Sequence, residues 1–547
     1  LRSKLRVGSG INQGDREQLI DLLLEKHLAF AVEDGEMGCC NAFEAPIETT
    51  GTPVALPLRR RPIHLRDDVE KEIQKLIRMG IVEESTSEWA SPIVAMRKRG
   101  STEVRITQDY REVNKQVRLP SYPIPMMVDL IDRMAERHPR YMSKLDMVKG
   151  YFQLAIREED RPKTAFRTHG GCYQYTRLPM GISSSPGIFQ RCMNKILGHL
   201  LENGVYVYLD DIGIVSETIG EHLKSVGATC DVFVETNMKL KPEKCEFLLL
   251  EMTYLGQVIS QKGISADPRA VQAVWDMPVP INQKEVRRFC GLASYLRRFI
   301  KDFSRKSKAL TALTKKDQKF EWSAEAQEAF EVLKEAITTA PVLQVVQKGK
   351  AFFVEVDGSA KGLGAVLMQE GPDGKMHPVA YASRALNSYE ANYPISELEA
   401  LAIVYGLNKF RAYLFNAPDV RVITDHSALT FMMKQANPSG RVHRWAADIS
   451  AYSPKFYYKK GKHHNIPDSL SRMYRENDDT LPDLGEMELA DSIDDFCKRE
   501  EQTESSSSNV GVENSCNVVQ TRAQKRKQEQ QQSAPSTTVG SGLDRPS

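Results

Sequence analysis

No stretch of this 547-residue chain approaches the roughly 18 consecutive apolar residues of a membrane-spanning helix. Nor does a charged-then-apolar leader with a small-residue cleavage site open it. A soluble, intracellular protein is therefore expected. Cysteine is sparse: nine are scattered, and the close pair Cys39 and Cys40 has the spacing of neither a zinc knuckle nor a disulfide framework. Reduced, mostly structural thiols are expected. Net charge is small, at +2, but it conceals an asymmetry. Between Glu476 and Glu504 there are 12 acids against Lys498 and Arg499, residues 505–547 carry five bases and three acids, and residues 1–475 keep about +10. A basic body suits a polyanionic partner. An initiator methionine is missing too, and a chain opening at Leu1 is expected to be a piece of something larger.

The hydrophobic share of 41% and charged share of 27% are those of a chain that mostly folds, and the length calls for roughly three or four domains. Residues 1–55 read as a lead-in, with a helical pattern at Gln18 to Leu24. Apolar residues at helical spacing (Val69, Ile73, Leu76, Ile77) predict a helix from Arg66 to Met79, with Gly80 as its stop. Short strands and helices then alternate to about residue 260. Residues 261–345 are helix-rich. At Ala351 to Asp357 a strand pattern starts a second α/β domain over 346–474, with a long helix from Ser396 to Leu414 and a strand at Val420 to Thr424. The acidic and polar composition of 475–547 predicts disorder.

Chemistry concentrates in two sets of acids. In Gly204 to Ser216, apolar β-rich arms flank Asp210 and Asp211, which predicts a hairpin turning at the two acids. Adjacent carboxylates repel, so a cation is the natural reason to place them there; an ordinary acidic turn is the alternative. Strand neighbours point to opposite faces, which makes Asp210 the ligand and Asp211 its support. Asp146, at the end of a short strand, supplies a second acid, and two Mg²⁺ ions held by such a pair suit nucleotidyl transfer. The second set is Asp357, Glu399, Asp425 and Asp468. Glu397 and Glu399 lie about 200° apart on a helix, so one of them must be chosen.

From about Pro62 to Arg472 the chain resembles the reverse transcriptases of Gypsy-type long-terminal-repeat retrotransposons. The resemblance rests on motifs in order: Arg105 with Gln108-Asp109-Tyr110-Arg111 and Asn114-Lys115, Leu145-Asp146 with Tyr151-Phe152, Leu178-Pro179-Met180-Gly181 with Ser185-Pro186 and Phe189-Gln190, then Tyr208-Leu209-Asp210-Asp211. It implies an α+β multidomain fold: a right-hand polymerase of fingers and palm (56–260) and thumb or connection (261–345), then a ribonuclease H-like α/β domain. It implies that Lys98 and Arg105 grip the triphosphate, that Tyr151 excludes a ribose 2′-hydroxyl, and that Met180 and Gly181 lie beneath the incoming nucleotide. Met180 departs from the Gln of retroviral enzymes. Tyr254, Leu255 and Gly256, by themselves any tight turn, would be the hairpin that positions the primer end, with Cys245 structural.

For the second set the resemblance selects Glu399 and supports Asp357, Asp425 and Asp468, with Pro467 standing where relatives often have Ala. His463 and His464 read as a solvated turn and His426 as structural. Arg287, Arg288, Arg297 and Arg298, mixed with aromatics, match a helix that tracks nucleic-acid backbone or has a solvated basic face. The implied cofactor is Mg²⁺, two ions per site, with Mn²⁺ as a substitute. The implied partners are an RNA template, a DNA primer and product, an RNA:DNA hybrid and dNTPs, with a homodimer left open and no membrane. The expected setting is the cytoplasm, within virus-like particles, with a nuclear stage open. No Asp-Thr-Gly turn of an aspartic protease is present, and no His and Cys module of an integrase. A host-retained, non-catalytic nucleic-acid-binding protein is the alternative, and intact acids in both sets argue against it.

Overall fold

The short strand expected before Asp146 and the hairpin expected around Asp210 are neighbours in one five-stranded sheet. Its order is Arg6–Val7, Glu246–Leu249, Tyr141–Asp146, Asp211–Ser216, Val205–Tyr208. The computed structural model describes residues 1–33, 35–59, 65–97, 104–201, 203–316, 319–360, 362–424 and 440–458, all within one unit, Leu1–Ala490. The residues expected to be a disordered tail lie outside the described ones.

Alternation along these strands gives the sheet two buried faces. Leu145, Val205, Val207, Ile212 and Ile214 enter one core, whereas Met142, Tyr206 and Val215 enter another. Helices Ser185–Leu197 and Ile219–Glu235 contribute to the first core. Helix Met127–Ala135 and the meander Glu251–Tyr254, Gln257–Ser260, Gly263–Ala266 contribute to the second. A second five-stranded sheet is ordered Val82–Glu84, Cys172–Tyr175, Phe166–Arg167, Ser91–Arg97, Val104–Gln108. The helix Arg66–Arg78 ends as predicted before Gly80, whose φ of 64° is the left-handed value a C-terminal glycine supplies.

The N-terminal segment read as a lead-in is part of the first core. Arg6 and Val7 pair in parallel with Glu246 and Phe247. The helix Gln13–Glu25, whose Asn12 cap accepts from Asp15 N at 2.8 Å, buries Leu19 and Leu23 completely. Residues beyond 260 likewise share a core with the first sheet: Phe289 and Phe330, with rings 4.6 Å apart, join Met142 and Tyr206 in one cluster.

The second α/β domain has its own core. Its sheet runs Met376–Arg384, Gly362–Glu370, Phe352–Ser359, Val420–Thr424, Lys455–Tyr458, with the first three strands antiparallel and the last two added in parallel. The helix expected to reach Leu414 is Ile395–Lys409; Phe410 breaks it, and a short turn, Arg411–Leu414, follows.

One buried base gives the fold a pH dependence. His222 is fully buried under the first sheet, with Nε2 2.7 Å from Ser143 Oγ and Nδ1 3.3 Å from Ser216 Oγ. Burial pulls the imidazole down to about 4. Between its unfolded value of about 6.5 and that figure, the unfolded chain takes up a proton that the folded chain refuses. Stability is therefore whole above about pH 6.5 and falls toward pH 4, by up to about 3 kcal/mol for this group. Urea midpoints of wild type and His222→Gln should converge as the pH is lowered. A constant difference from pH 7 to pH 4 would show that His222 does not titrate in this way.

Candidate active sites

In the first site the hairpin closes one residue earlier than expected. Tyr208 pairs with Asp211, so Leu209 and Asp210 are the turn and Asp211 is already a strand residue. Leu209 takes a left-handed φ of 55°, and the fully buried amide of Gln190, from helix Ser185–Leu197, holds it there. Gln190 Oε1 accepts from Leu209 N at 2.8 Å, and Nε2 donates to Val207 O at 3.3 Å and Asn194 Oδ1 at 2.8 Å. Asp210 is thereby released from strand alternation, and the opposite-faces argument does not apply to it.

Asp211 stands opposite Asp146 in the antiparallel register, and cross-strand partners share a face. Each acid meets a lysine: Lys144 Nζ is 3.2 Å from Asp211 Oδ1, and Lys244 Nζ donates to both Asp146 oxygens at 2.9 and 3.1 Å. The Asp210 carboxyl is raised above the ordinary carboxylate range, first by desolvation from the protein around an otherwise exposed residue, then by the charges of Asp211 and Asp146. Gly150 leaves room beneath it, since a Cβ there would come 3.3 Å from Asp210 Cβ and 3.2 Å from Phe189 Cζ. Tyr151, stacked on Phe189 at 4.8 Å, has its hydroxyl pushed up to about 12 by burial and by the Asp210 and Tyr208 charges.

Tyr254 is displaced from its expected role. Its side chain is fully buried and its hydroxyl donates to Asp211 O at 2.9 Å, so it braces the acid strand and cannot touch a primer. Leu255 and Gly256, with φ of 45° and 71°, form the two-residue turn expected between paired Tyr254 and Gln257, and Leu255 O accepts from the Tyr295 hydroxyl. Cys245 is completely buried against the Asp146 backbone, its Sγ 3.4 Å from Asp146 N. Met180 is exposed, and Gly181, at φ 99°, accepts from Asn114 Nδ2 at 2.9 Å. Arg105 sits opposite Met96 in the fingers hairpin; its side chain, and all of Lys98, lie outside the described residues.

In the second site Asp357 lies near the end of its strand, opposite Gly364. Gly358 lets this strand approach the helix closely, for a Cβ there would come 2.8 Å from Glu399 N. The strand that carries Asp357 thus packs, at Gly358, against the helix backbone at Leu398 and Glu399. Glu397 is largely buried in an ion pair with Arg441, whereas Glu399 is half-buried. Arg305 Nη2 donates to Asp357 Oδ2 at 2.6 Å. Asp425, His426, His463, His464, Pro467 and Asp468 lie outside the described residues.

The basic helix departs from expectation in part. Arg298 Nη2 donates to Asp132 Oδ1 at 2.9 Å and is nearly buried, while Arg297 Nη2 donates to Ser383 O at 2.6 Å. Both tie parts of the protein together, and Tyr413 of the second α/β domain joins Arg298 on Asp132. They are taken by these internal partners rather than turned toward nucleic acid.

Among the described residues no group of three or more His, Cys, Asp or Glu is assembled around a metal position. The donor chemistry nevertheless fits hard divalent cations at both sites: oxygen ligands only, and acids whose charge is offset in this structure by lysine or arginine cations.

Residues 96–259 match the family model of reverse transcriptase (RNA-dependent DNA polymerase), and residues 347–452 that of the RNase H-like domain found in reverse transcriptase. The retrovirus-related Pol polyprotein from transposon 297 of Drosophila melanogaster is 37% identical over 411 residues, 74% of this chain and 38% of the relative. The corresponding polyprotein from transposon gypsy of the same organism is 31% identical over 475 residues, 84% of this chain and 45% of the relative. The chain thus spans less than half the length of these relatives. A solved structure of the foamy viral protease-reverse transcriptase in complex with RNA/DNA hybrid shares the fold, with a TM-score of 0.71 at 24% identity over 88% of this chain and 64% of that one.

Proposed function

As the chain carries the reverse transcriptase and RNase H-like domains of retrotransposon Pol polyproteins, gypsy among them, we propose that it extends a DNA primer on RNA and DNA templates and cleaves the RNA strand of the resulting hybrid. The product would be retrotransposon cDNA. The observation that carries this reading is the cross-strand register of Asp211 with Asp146, with Asp210 on the turn beside them.

Asp146 and Asp210 are the acids that would hold Mg²⁺ in the first site; Asp211, cross-strand from Asp146, supports them. Asp357, Glu399, Asp425 and Asp468 would hold it in the second. A metal held by these acids would supply activation of the attacking oxygen and charge stabilisation on the leaving one, for nucleotidyl transfer at the first site and hydrolysis at the second. The chain's own residues set the geometry. Gln190 fixes the turn, and Tyr254 braces the Asp211 strand. Lys98 and Arg105 neutralise the triphosphate, Gly181 allows close backbone approach of the nucleotide above it, and the Leu255-Gly256 turn meets the primer end.

Tyr151 supplies the choice of sugar. Its ring is stacked on Phe189 beside Asp210 and cannot retreat without opening the core. Primer extension on a labelled RNA template with Mg²⁺ should therefore proceed with dNTPs and fail with rNTPs. Tyr151→Ala should raise the ratio of rNTP to dNTP incorporation by about 10- to 100-fold, since a steric gate is worth about 1–3 kcal/mol. Absence of extension by the wild-type chain would overturn the polymerase reading. An unchanged ratio in Tyr151→Ala would remove Tyr151 from sugar selection.

A further inference from the structure

The second site contains a residue that its own domain does not supply. Three residues of the sheet of the second α/β domain stand in a row across neighbouring strands: Asp357 pairs with Gly364, and Gly364 with Ser383. The segment Asp302 to Arg305, which precedes this domain by some 50 residues of chain, lies along that row and touches every member. Ser304 N donates to Ser383 Oγ at 2.9 Å. A Cβ at Gly364 would come 2.5 Å from Asp302 Oδ1, so only glycine leaves space for that carboxylate. Arg305 Nη2 reaches Asp357 Oδ2 at 2.6 Å and Ser359 Oγ at 3.0 Å. Phe303, buried in the core shared with the first sheet, and Arg297, bonded to Ser383 O, anchor the segment from both sides.

We propose that Arg305 is a positioning residue of the nuclease site, a cation lent by the connection region that holds Asp357 until a divalent metal displaces it. The inference rests on the reading of Asp357 as a metal ligand. A guanidinium on one oxygen of Asp357 opposes a metal ion on the same carboxylate, because the two cations repel and share its charge. Arg305 belongs to the segment that joins the polymerase body to the nuclease. Its grip on Asp357 therefore links metal loading at the nuclease to the seating of the two parts. The pair is partly exposed, which limits its strength and lets the metal win.

The test uses the full chain. Mn²⁺ binding is followed by electron paramagnetic resonance in an Asp210→Asn background, which weakens the polymerase contribution, and hybrid cleavage is titrated with Mn²⁺ in parallel. Arg305→Met should lower the Mn²⁺ concentration for half-saturation about two- to fivefold in both assays, as expected for loss of one partly exposed competing pair. Arg305→Lys, which keeps a cation, should stay near wild type, and primer extension by the single variants reports that each chain is folded. Unchanged Mn²⁺ binding in Arg305→Met overturns the proposal. So does loss of cleavage at every Mn²⁺ concentration with binding unchanged, which would make Arg305 a substrate contact. Asp357→Asn separates the two ideas: cleavage that survives it overturns the reading of Asp357 itself, whereas lost cleavage together with an unmoved Arg305→Met titration overturns only the role of Arg305.

Discussion

Asp210→Asn is expected to lower primer extension by about 10³-fold or more while leaving hybrid cleavage intact, because an amide retains the shape of the side chain but removes the charge that must hold a divalent cation. The substitution disturbs no contact that shapes the turn. Leu209 is held through its backbone N–H by Gln190, and the strand beyond it through the Asp211 carbonyl by Tyr254. The folded hairpin should therefore survive, and the loss should appear in the chemical step. Asp211→Asn should cost less, since Asp211 stands one place outside the turn. Extension retained in Asp210→Asn, measured as single-turnover rate on an RNA template, would remove Asp210 from the metal set.

Gln190→Leu carries the second large effect. The buried amide offers one acceptor to Leu209 N and donors to Val207 O and Asn194 Oδ1, and leucine offers neither. A buried N–H left without a partner costs about 1–3 kcal/mol, and relief comes if Leu209 leaves its left-handed conformation. That movement carries Asp210 with it. A displacement near 1 Å of a group that positions reacting atoms is worth about 10²-fold in rate, so extension should fall by that factor alongside a loss of about 1–3 kcal/mol in stability. Gln190→Glu keeps the acceptor and should recover part of the rate. If Gln190→Leu is destabilised as expected yet extends primers within about twofold of wild type, the amide is a core contact and does not position the turn.

Much of the fold was legible along the chain. The acids stand where strands end, and their order, with Tyr151 and the Met180-Gly181 loop between them, is a local pattern. The helix stop at Gly80 and the turn at Leu255-Gly256 were legible for the same reason, since each needs a left-handed residue at one place. Tyr254 was misplaced because a turn motif says nothing of which side chain faces inward. Arg297 and Arg298 were misjudged because a basic stripe looks the same whether solvent or a carboxylate waits opposite. Residues 1–55 carried no strong motif, yet a two-residue strand and the Leu19 and Leu23 helix place them in the main core.

By itself, then, the sequence determined the kinds of domain, their order and the acids proposed for both sites, because each is written in neighbouring residues or in fixed spacings. The tertiary structure alone decided what those acids meet. Lys244 comes to Asp146 across 98 positions of chain, Arg305 to Asp357 across 52, and Gln190 to the Asp210 turn across 19. None of these contacts has a local signature, since a lysine, an arginine or a glutamine becomes a partner only when packing has closed the loop between them and the core on either side holds it shut.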